Sequence, residues 1–337
     1  MASRRREVNP IDVLEAAYDL GQSDEDWLRT VATVVRPFLD GGRGLVAYFF
    51  DATKPITEFQ RDAVMFDMTA RQQRLGMEMG TSQPDLAHYI HFNNEGLLGL
   101  LECGRRAGFG DLRERPAIAT YMRSERVADM VALQTIEPGG RGIVFAAPQS
   151  AARVFDARTR RLWALVTTHI ATARRLRAAV HVHEAAEEAV LSPSGKLEHA
   201  EGEGKARSAR EALRDAVLRS EKSRGKQRKS NPVAATEAWT ALVAGRWSLV
   251  DRVECDGRRY VVARRNEHAL PDPRALTPRE RAIAHLAALG KPNKLIGYEL
   301  GLSVSTIGSL LSRVMRKLGA KSRVDLIQLV THLRAPK

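Results

Sequence analysis

Apolar residues recur at the three- and four-residue steps of a helix from Trp27 through Leu28, Val31, Val34 and Val35. Pro37 should stop that helix, which leaves Leu39 in the connection beyond it. Gly41-Gly42-Arg43-Gly44 then introduces the unbroken apolar run Leu45 to Phe50, the pattern of a buried strand. Met130 to Ile136 and Gly142 to Ala147 read as paired strands, because the five residues between them are rich in turn formers. A long helix follows from about Asp156 to Val180, with Leu162, Leu165, Val166 and Leu176 on one side. Two more hairpins are expected, Ala189 to His199 around Ser194-Gly195 and Trp247 to Arg265 around Asp256-Gly257. Between them, Lys205 to Lys229 has two readings. Ala212, Leu213, Val217 and Leu218 suit one basic helix; the charge density suits a partly solvated linker that also touches DNA, and this second reading is preferred.

The last segment has the densest helix punctuation. Thr277 is placed to cap a helix, Pro278 fits its first position and Glu280 completes a capping box. Ile283, Leu286 and Leu289 continue its apolar stripe until Gly290 and Pro292 end it. Asn293 to Leu300 forms a second short helix, and Gly301 permits a tight turn into a third helix capped by Ser303. Ile307, Leu310, Leu311, Val314, Met315 and Leu318 mark the buried side of that helix. Its outer side carries Ser305, Gly308, Ser309, Ser312, Arg313 and Arg316, and Gly319 closes it before Ser322 and Asp325 begin a fourth. Two short helices joined by a glycine turn, the second polar and basic outside, match a major groove roughly 12 Å wide.

Charge sharpens that picture. The net charge of +13 is unevenly placed: residues 1–200 hold 25 Lys and Arg against 26 Asp and Glu, whereas residues 273–337 hold 12 against 3. Such a terminal excess implies a polyanionic partner. With 337 residues, 44% hydrophobic and 28% charged, the chain has material for two or three domains and is not disordered as a whole. No apolar stretch approaches a membrane span, and the arginine-rich start lacks a secretory signal, so a cytoplasmic protein is expected. Cys103 and Cys255 are the only cysteines and supply neither a disulfide framework nor a zinc site.

Four motifs in order, Leu276-Thr277-Pro278-Arg279-Glu280-Arg281, Gly290 to Ile296, Leu302 to Ile307 and Arg316 to Arg323, resemble a LuxR-type (GerE-type) domain over about 60 residues. The resemblance implies a bacterial four-helix domain that binds promoter DNA as a dimer, the fourth helix supplying the dimer contact. Leu326, Leu329, Val330 and Leu333 would then divide between core and dimer seam. Where that family usually carries a lysine and then a histidine after Thr306 and Ile307, this chain has Gly308 and Leu310, which puts direct base reading in question. Ser303, Ser305, Thr306, Gly308, Ser309 and Ser312 are the groove-facing candidates. Lys291, Lys294, Arg313, Arg316, Lys317 and Arg323 are the candidate phosphate contacts, since cations around a groove neutralise backbone charge.

Upstream, the order of elements over residues 12–180 is similar to a GAF-like sensor, and residues 185–268 look like a small PAS-like module. The first resemblance implies a small-molecule or protein signal seated between the sheet and the long middle stretch. Other constellations lack their partners. Asp51 ends an apolar run as a phosphoacceptor does, but no acidic pair ends an earlier strand. His88 with His91, and His181 with His183, have ligand spacing but no third ligand. Cys255 beside the Asp256-Gly257 turn carries no sign of a lowered pKa, and no phosphate loop, dinucleotide fingerprint or nucleophile elbow occurs. The expectation is therefore a multidomain chain: an α/β sensor region at 12–180, a small α/β connector at 185–268 and an all-α four-helix domain at 273–335. It would bind double-stranded DNA as a homodimer, without metal, cofactor or enzymatic activity. The alternatives are an adaptor that has lost sequence-specific DNA binding and a ligand-binding or enzymatic domain with a DNA-binding tail.

Overall fold

Asn9 accepts the Ile11 amide at 3.1 Å and Pro10 takes the first helical position, which starts α1 (Pro10–Ala17). The computed structural model describes residues 8–52, 54–137, 140–182, 185–254, 257–267 and 276–332. Ser23 caps α2 (Asp24–Leu39), whose acidic first turn suits the positive end of the helix dipole. This helix continues through Pro37, contrary to expectation, and Leu39 is fully buried. Proline removes only one hydrogen bond so close to the end, and the Arg36 carbonyl still accepts the Asp40 amide at 2.8 Å.

The chain then forms β1 (Leu45–Asp51), β2 (Gln60–Phe66), α3 (Ala70–Thr81), α4 (Pro84–Asn93), β3 (Gly96–Gly99), α5 (Leu100–Arg106), α6 (Pro116–Ser124), β4 (Asp129–Ile136), β5 (Arg141–Gln149) and α7 (Ala157–His181). The strands make one antiparallel sheet in the order β2-β1-β5-β4-β3. Alternation fixes its two faces. Ala47 pairs with Phe145 on one face, where Trp27 of α2 stacks on Phe49 at 6.1 Å. On the other, Met130 joins the cluster of Leu86, Leu112, Ile118, Tyr121 and Met122 from the middle helices. The expected β4–β5 hairpin is present, although Pro138 and Gly139 of its loop lie outside the described residues.

The chain divides into two compact units between Thr167 and Thr168, inside α7. The second unit contains β6 (Glu187–Leu191), β7 (Leu197–Ala200), α8 (Arg207–Arg224), α9 (Lys226–Ser230), α10 (Pro232–Ala238), β8 (Trp247–Val253), β9 (Arg259–Arg265) and four terminal helices. Its antiparallel sheet runs β7-β6-β9-β8. Both expected hairpins form; Cys255 and Asp256 of the second turn lie outside the described residues.

The basic segment is not a solvated linker. Ala209, Leu213, Ala216 and Val217 of α8 bury against Ala189, Leu191, Leu249, Val261 and Ala263 of the sheet. Burial at this three- and four-residue spacing outweighs the solvation of the charges, because the cations project from the opposite side of the helix. Beneath the sheet edge, Arg246 holds Glu188 through Nε at 3.1 Å and Nη2 at 2.9 Å, and Trp247 Nε1 donates to the same carboxylate at 2.8 Å. All three partners of that buried network are satisfied, which lets charge sit in the interior of the connector.

Candidate nucleic-acid interface

The terminal helices are α11 (Pro278–Ala288), α12 (Asn293–Leu300), α13 (Val304–Leu318) and α14 (Arg323–His332). The capping box at Thr277 and Glu280 forms as its spacing predicts. Glu280 also does something the sequence does not disclose: its buried carboxylate accepts from Lys317 Nζ at 2.7 Å, fastening the start of α11 to the end of α13. Burial opposes ionisation of Glu280, but Lys317 and the Thr277 amide and hydroxyl outweigh it and hold the carboxyl below its ordinary range.

Helices α12 and α13 cross at a bend of 105° around Gly301, whose φ of 63° is left-handed. That angle is the geometry of a helix-turn-helix. Ile307, Leu311, Val314 and Leu318 of α13 are buried with Ile283, Leu286 and Ile296 of the preceding helices, so the opposite face of α13 points outward. Ser303 accepts the Thr306 amide at 3.1 Å, and its hydroxyl lies 2.8 Å from that of Ser305 and 2.7 Å from that of Thr306. This hydroxyl cluster fixes the first turn. Val304 beside it is 51% exposed, an apolar side chain on a polar face that the spacing argument passed over.

Ser303, Ser305, Thr306, Ser309, Ser312, Arg313, Arg316 and Lys294 are all exposed, and Gly308 is half-buried with open space where a Cβ would stand. Ser312 donates to the Gly308 carbonyl at 3.0 Å. Lys317 is exposed but tied to Glu280, and Arg323 is half-buried, donating through Nη1 to Asn293 Oδ1 at 2.8 Å and through Nη2 to the Lys291 carbonyl. Lys291 departs from the expectation altogether. It is 4% exposed, and its Nζ lies 2.7 Å from a carboxylate oxygen of the equally buried Glu299. An ammonium committed to a buried carboxylate cannot reach a phosphate without leaving that carboxylate uncompensated. In α14, Leu326 and Val330 belong to the core, while the Leu329 side chain and Leu333 lie outside the described residues.

The segment before these helices packs against them. Leu242 lies in the hydrophobic core of the terminal helices, and Arg279 donates to the Ala244 carbonyl. The Tyr298 hydroxyl on α12 has two acceptors within reach of its single proton, the Trp239 carbonyl at 2.9 Å and that of Thr236. His169 Nε2 stands 2.9 Å from both the Tyr298 hydroxyl and the Trp239 carbonyl. Burial pushes the His169 pKa down to about 3, only partly countered by the Trp239 carbonyl, so the imidazole is neutral. No residue of this docking was legible beforehand, because Tyr298 sits inside an otherwise ordinary helical pattern.

The other singled-out residues have structural partners. Asp51 pairs with Arg141 at 3.2 Å. His91 Nε2 lies 2.9 Å from the Tyr48 hydroxyl, and its ring meets Phe50 and Phe59 edge-on at 4.9 and 4.5 Å. The His88 side chain and His183 lie outside the described residues. Cys103 is buried, and burial raises its thiol to about 11. Among the described residues no single helix is long and apolar enough to cross a membrane.

Residues 274–330 match the family described as bacterial regulatory proteins, luxR family. An uncharacterized transcriptional regulatory protein of Bacillus subtilis, YvfU, is 39% identical over 69 residues, which are 20% of this chain and 34% of YvfU. Nodulation protein W of Bradyrhizobium diazoefficiens and the nitrate/nitrite response regulator protein NarL of Escherichia coli are each 43% identical over 54 residues, 16% of this chain and 24% and 25% of theirs. The chain thus spans about a quarter to a third of the length of these relatives. A crystal structure of Escherichia coli SdiA aligns over 94% of both chains at 8% identity and a TM-score of 0.30, too low to carry an argument about the remainder.

Proposed function

Because residues 274–330 are a helix-turn-helix domain of the bacterial LuxR regulatory family, we propose that the chain is a DNA-binding transcription regulator whose upstream α/β regions control that domain. In this reading residues 12–180 are the sensor, residues 185–268 the connector and residues 273–335 the DNA reader. The observation that carries it is the outward face of α13: a hydroxyl-rich first turn, two exposed arginines, and a 105° bend that presents them to a groove. Ser305, Thr306, Ser309 and Ser312 approach base edges and sugars, Val304 meets a thymine methyl, and Gly308 brings the helix backbone close. Lys294, Arg313 and Arg316 contact phosphates; Lys317 and Arg323 act beside them while bracing the helices; Lys291 braces only. The partner is double-stranded DNA, read by a homodimer in the cytoplasm, and a small-molecule or protein signal acts on the sensor. No catalytic step is assigned.

Titration of the full chain against random duplex and against duplex selected from a genomic library, at several salt concentrations, tests this. Arg313→Ala or Arg316→Ala should each weaken binding and flatten the salt slope by about one unit. Failure of the intact chain to bind any duplex in dilute buffer, or unchanged slopes, overturns it. A second reading, an adaptor that no longer reads sequence, is favoured by Gly308 and by Leu310, which packs against the core instead of reaching outward. Equal affinity for random and selected duplex is its signature.

A further inference from the structure

Helices α8 and α9 carry a group of cations whose role the family match does not reach, since that match begins at residue 274. Arg219 and Lys222 near the end of α8 and Lys226 and Lys229 of α9 are exposed, each pair three residues apart on its own helix, with the non-helical Gly225 between the two helices. None of the four is in an ion pair among the described residues, whereas Arg207 pairs with Glu211, and Arg224 and Arg259 pair with Glu221. Natural surfaces usually intersperse both signs, so an unneutralised group raises the local anion concentration.

The compact unit that carries these cations bears on which anion they meet. Asn231 separates α9 from α10, and α10 and the residue after it supply the Thr236 and Trp239 carbonyls that receive the Tyr298 hydroxyl of α12. Seven residues from Lys229 to Thr236 span about 25 Å even if fully extended, and less along the helical path of α10. Lys294, also exposed, lies one helical turn before Tyr298 on the same side of α12. The four cations therefore belong to the same compact unit as the DNA reader.

We propose that Arg219, Lys222, Lys226 and Lys229 form a second phosphate-binding surface that engages the same duplex outside the segment covered by α13, lengthening the bound site. The proposal rests on the DNA-binding reading above. Its ligand is the sugar-phosphate backbone and involves no base recognition, so it adds affinity and footprint without adding specificity.

The test uses the full chain and the duplex it selects from a genomic library, at full length (about 40 base pairs) and trimmed to its central portion (about 15 base pairs, roughly one and a half helical turns). The variant replaces all four cations with Ala. On the long duplex its salt slope should fall by about 3 to 4 units and its affinity at moderate salt by at least about tenfold. On the short duplex variant and parent should bind alike. Equal slopes on both lengths, or an equal loss on both, overturn the second surface while leaving the DNA-binding reading intact. Absence of binding by the parent chain instead removes that reading and this inference together. A shortened nuclease footprint of the variant on the long duplex gives an independent readout, and an unchanged circular-dichroism melt excludes a folding defect.

Discussion

Two glycines separate the docking of the reader on the connector from ordinary helix-end strain. Gly301 and Gly319 both follow a helix in the left-handed region, at φ of 63° and 70°. Alanine at either site pays about 1 to 2 kcal/mol for that conformation, partly offset by about 0.4 to 1 kcal/mol of lost freedom in the unfolded chain, leaving roughly 1 kcal/mol. The sites differ in what surrounds them. A Cβ at Gly319 meets nothing within 4 Å, whereas a Cβ at Gly301 would stand 1.9 Å from the Leu242 carbonyl oxygen and 2.9 Å from its carbon. Backbone cannot rotate away as a side chain does, so the connector must be pushed off, at a further cost of about 1 to 3 kcal/mol by analogy with overpacked cores. Urea unfolding of full-length Gly301→Ala and Gly319→Ala, followed by circular dichroism, should place the first about 1 to 3 kcal/mol below the second. Hydrogen exchange should locate that difference in α12 and α13 and in the strand after Leu242. Equal losses would mean that the loop carrying Leu242 does not rest on the turn.

Gly308→Ala should stabilise the domain by about 1 kcal/mol, since the site is helical and open; a rise in melting temperature with a fall in DNA affinity is expected, and a rise in both would remove Gly308 from the contact surface. Lys291→Ala leaves Glu299 buried without its ammonium, so a loss of about 3 to 5 kcal/mol in denaturation with an unchanged DNA salt slope at low temperature is expected; a flattened slope would return Lys291 to the phosphate contacts. His169 has a folded pKa of about 3, below its unfolded value near 6.5, so the unfolded chain binds the extra proton between them. Its stabilising contribution is full above about pH 6.5 and should drain away as pH falls toward 3, by up to about 5 kcal/mol, and His169→Gln should remove that part of the acid sensitivity in melts across the range.

The elements that were legible share one property: their cause is local. The capping box of Thr277 and Glu280, the left-handed stop at Gly319 and the strand run Leu45 to Phe50 each depend on a few neighbouring residues, and each forms where the spacing places it. The misjudged elements have distant causes. Pro37 lies inside α2 because the helix was within one turn of its end, and α8 is a helix because a sheet whose strands lie both before and after it in the chain supplies the apolar surface for Leu213 and Val217. Charge density alone counts cations without showing that they all leave from one side.

The same division runs through the candidate site. Residues of the outer face of α13 follow from helical periodicity, so exposure of Ser305, Ser309, Arg313 and Arg316 needed no tertiary information. Lys291, Lys317 and Arg323 look equivalent to Arg313 in sequence, yet they terminate on Glu299, Glu280 and Asn293. Three of the six candidate phosphate contacts are thus spent, wholly or partly, on holding the four helices together. A reader with fewer free cations on its own surface has a weaker electrostatic hold on DNA. The exposed cations of α8 and α9, fixed to the same unit through Tyr298 and Leu242, are where the missing hold can be made up.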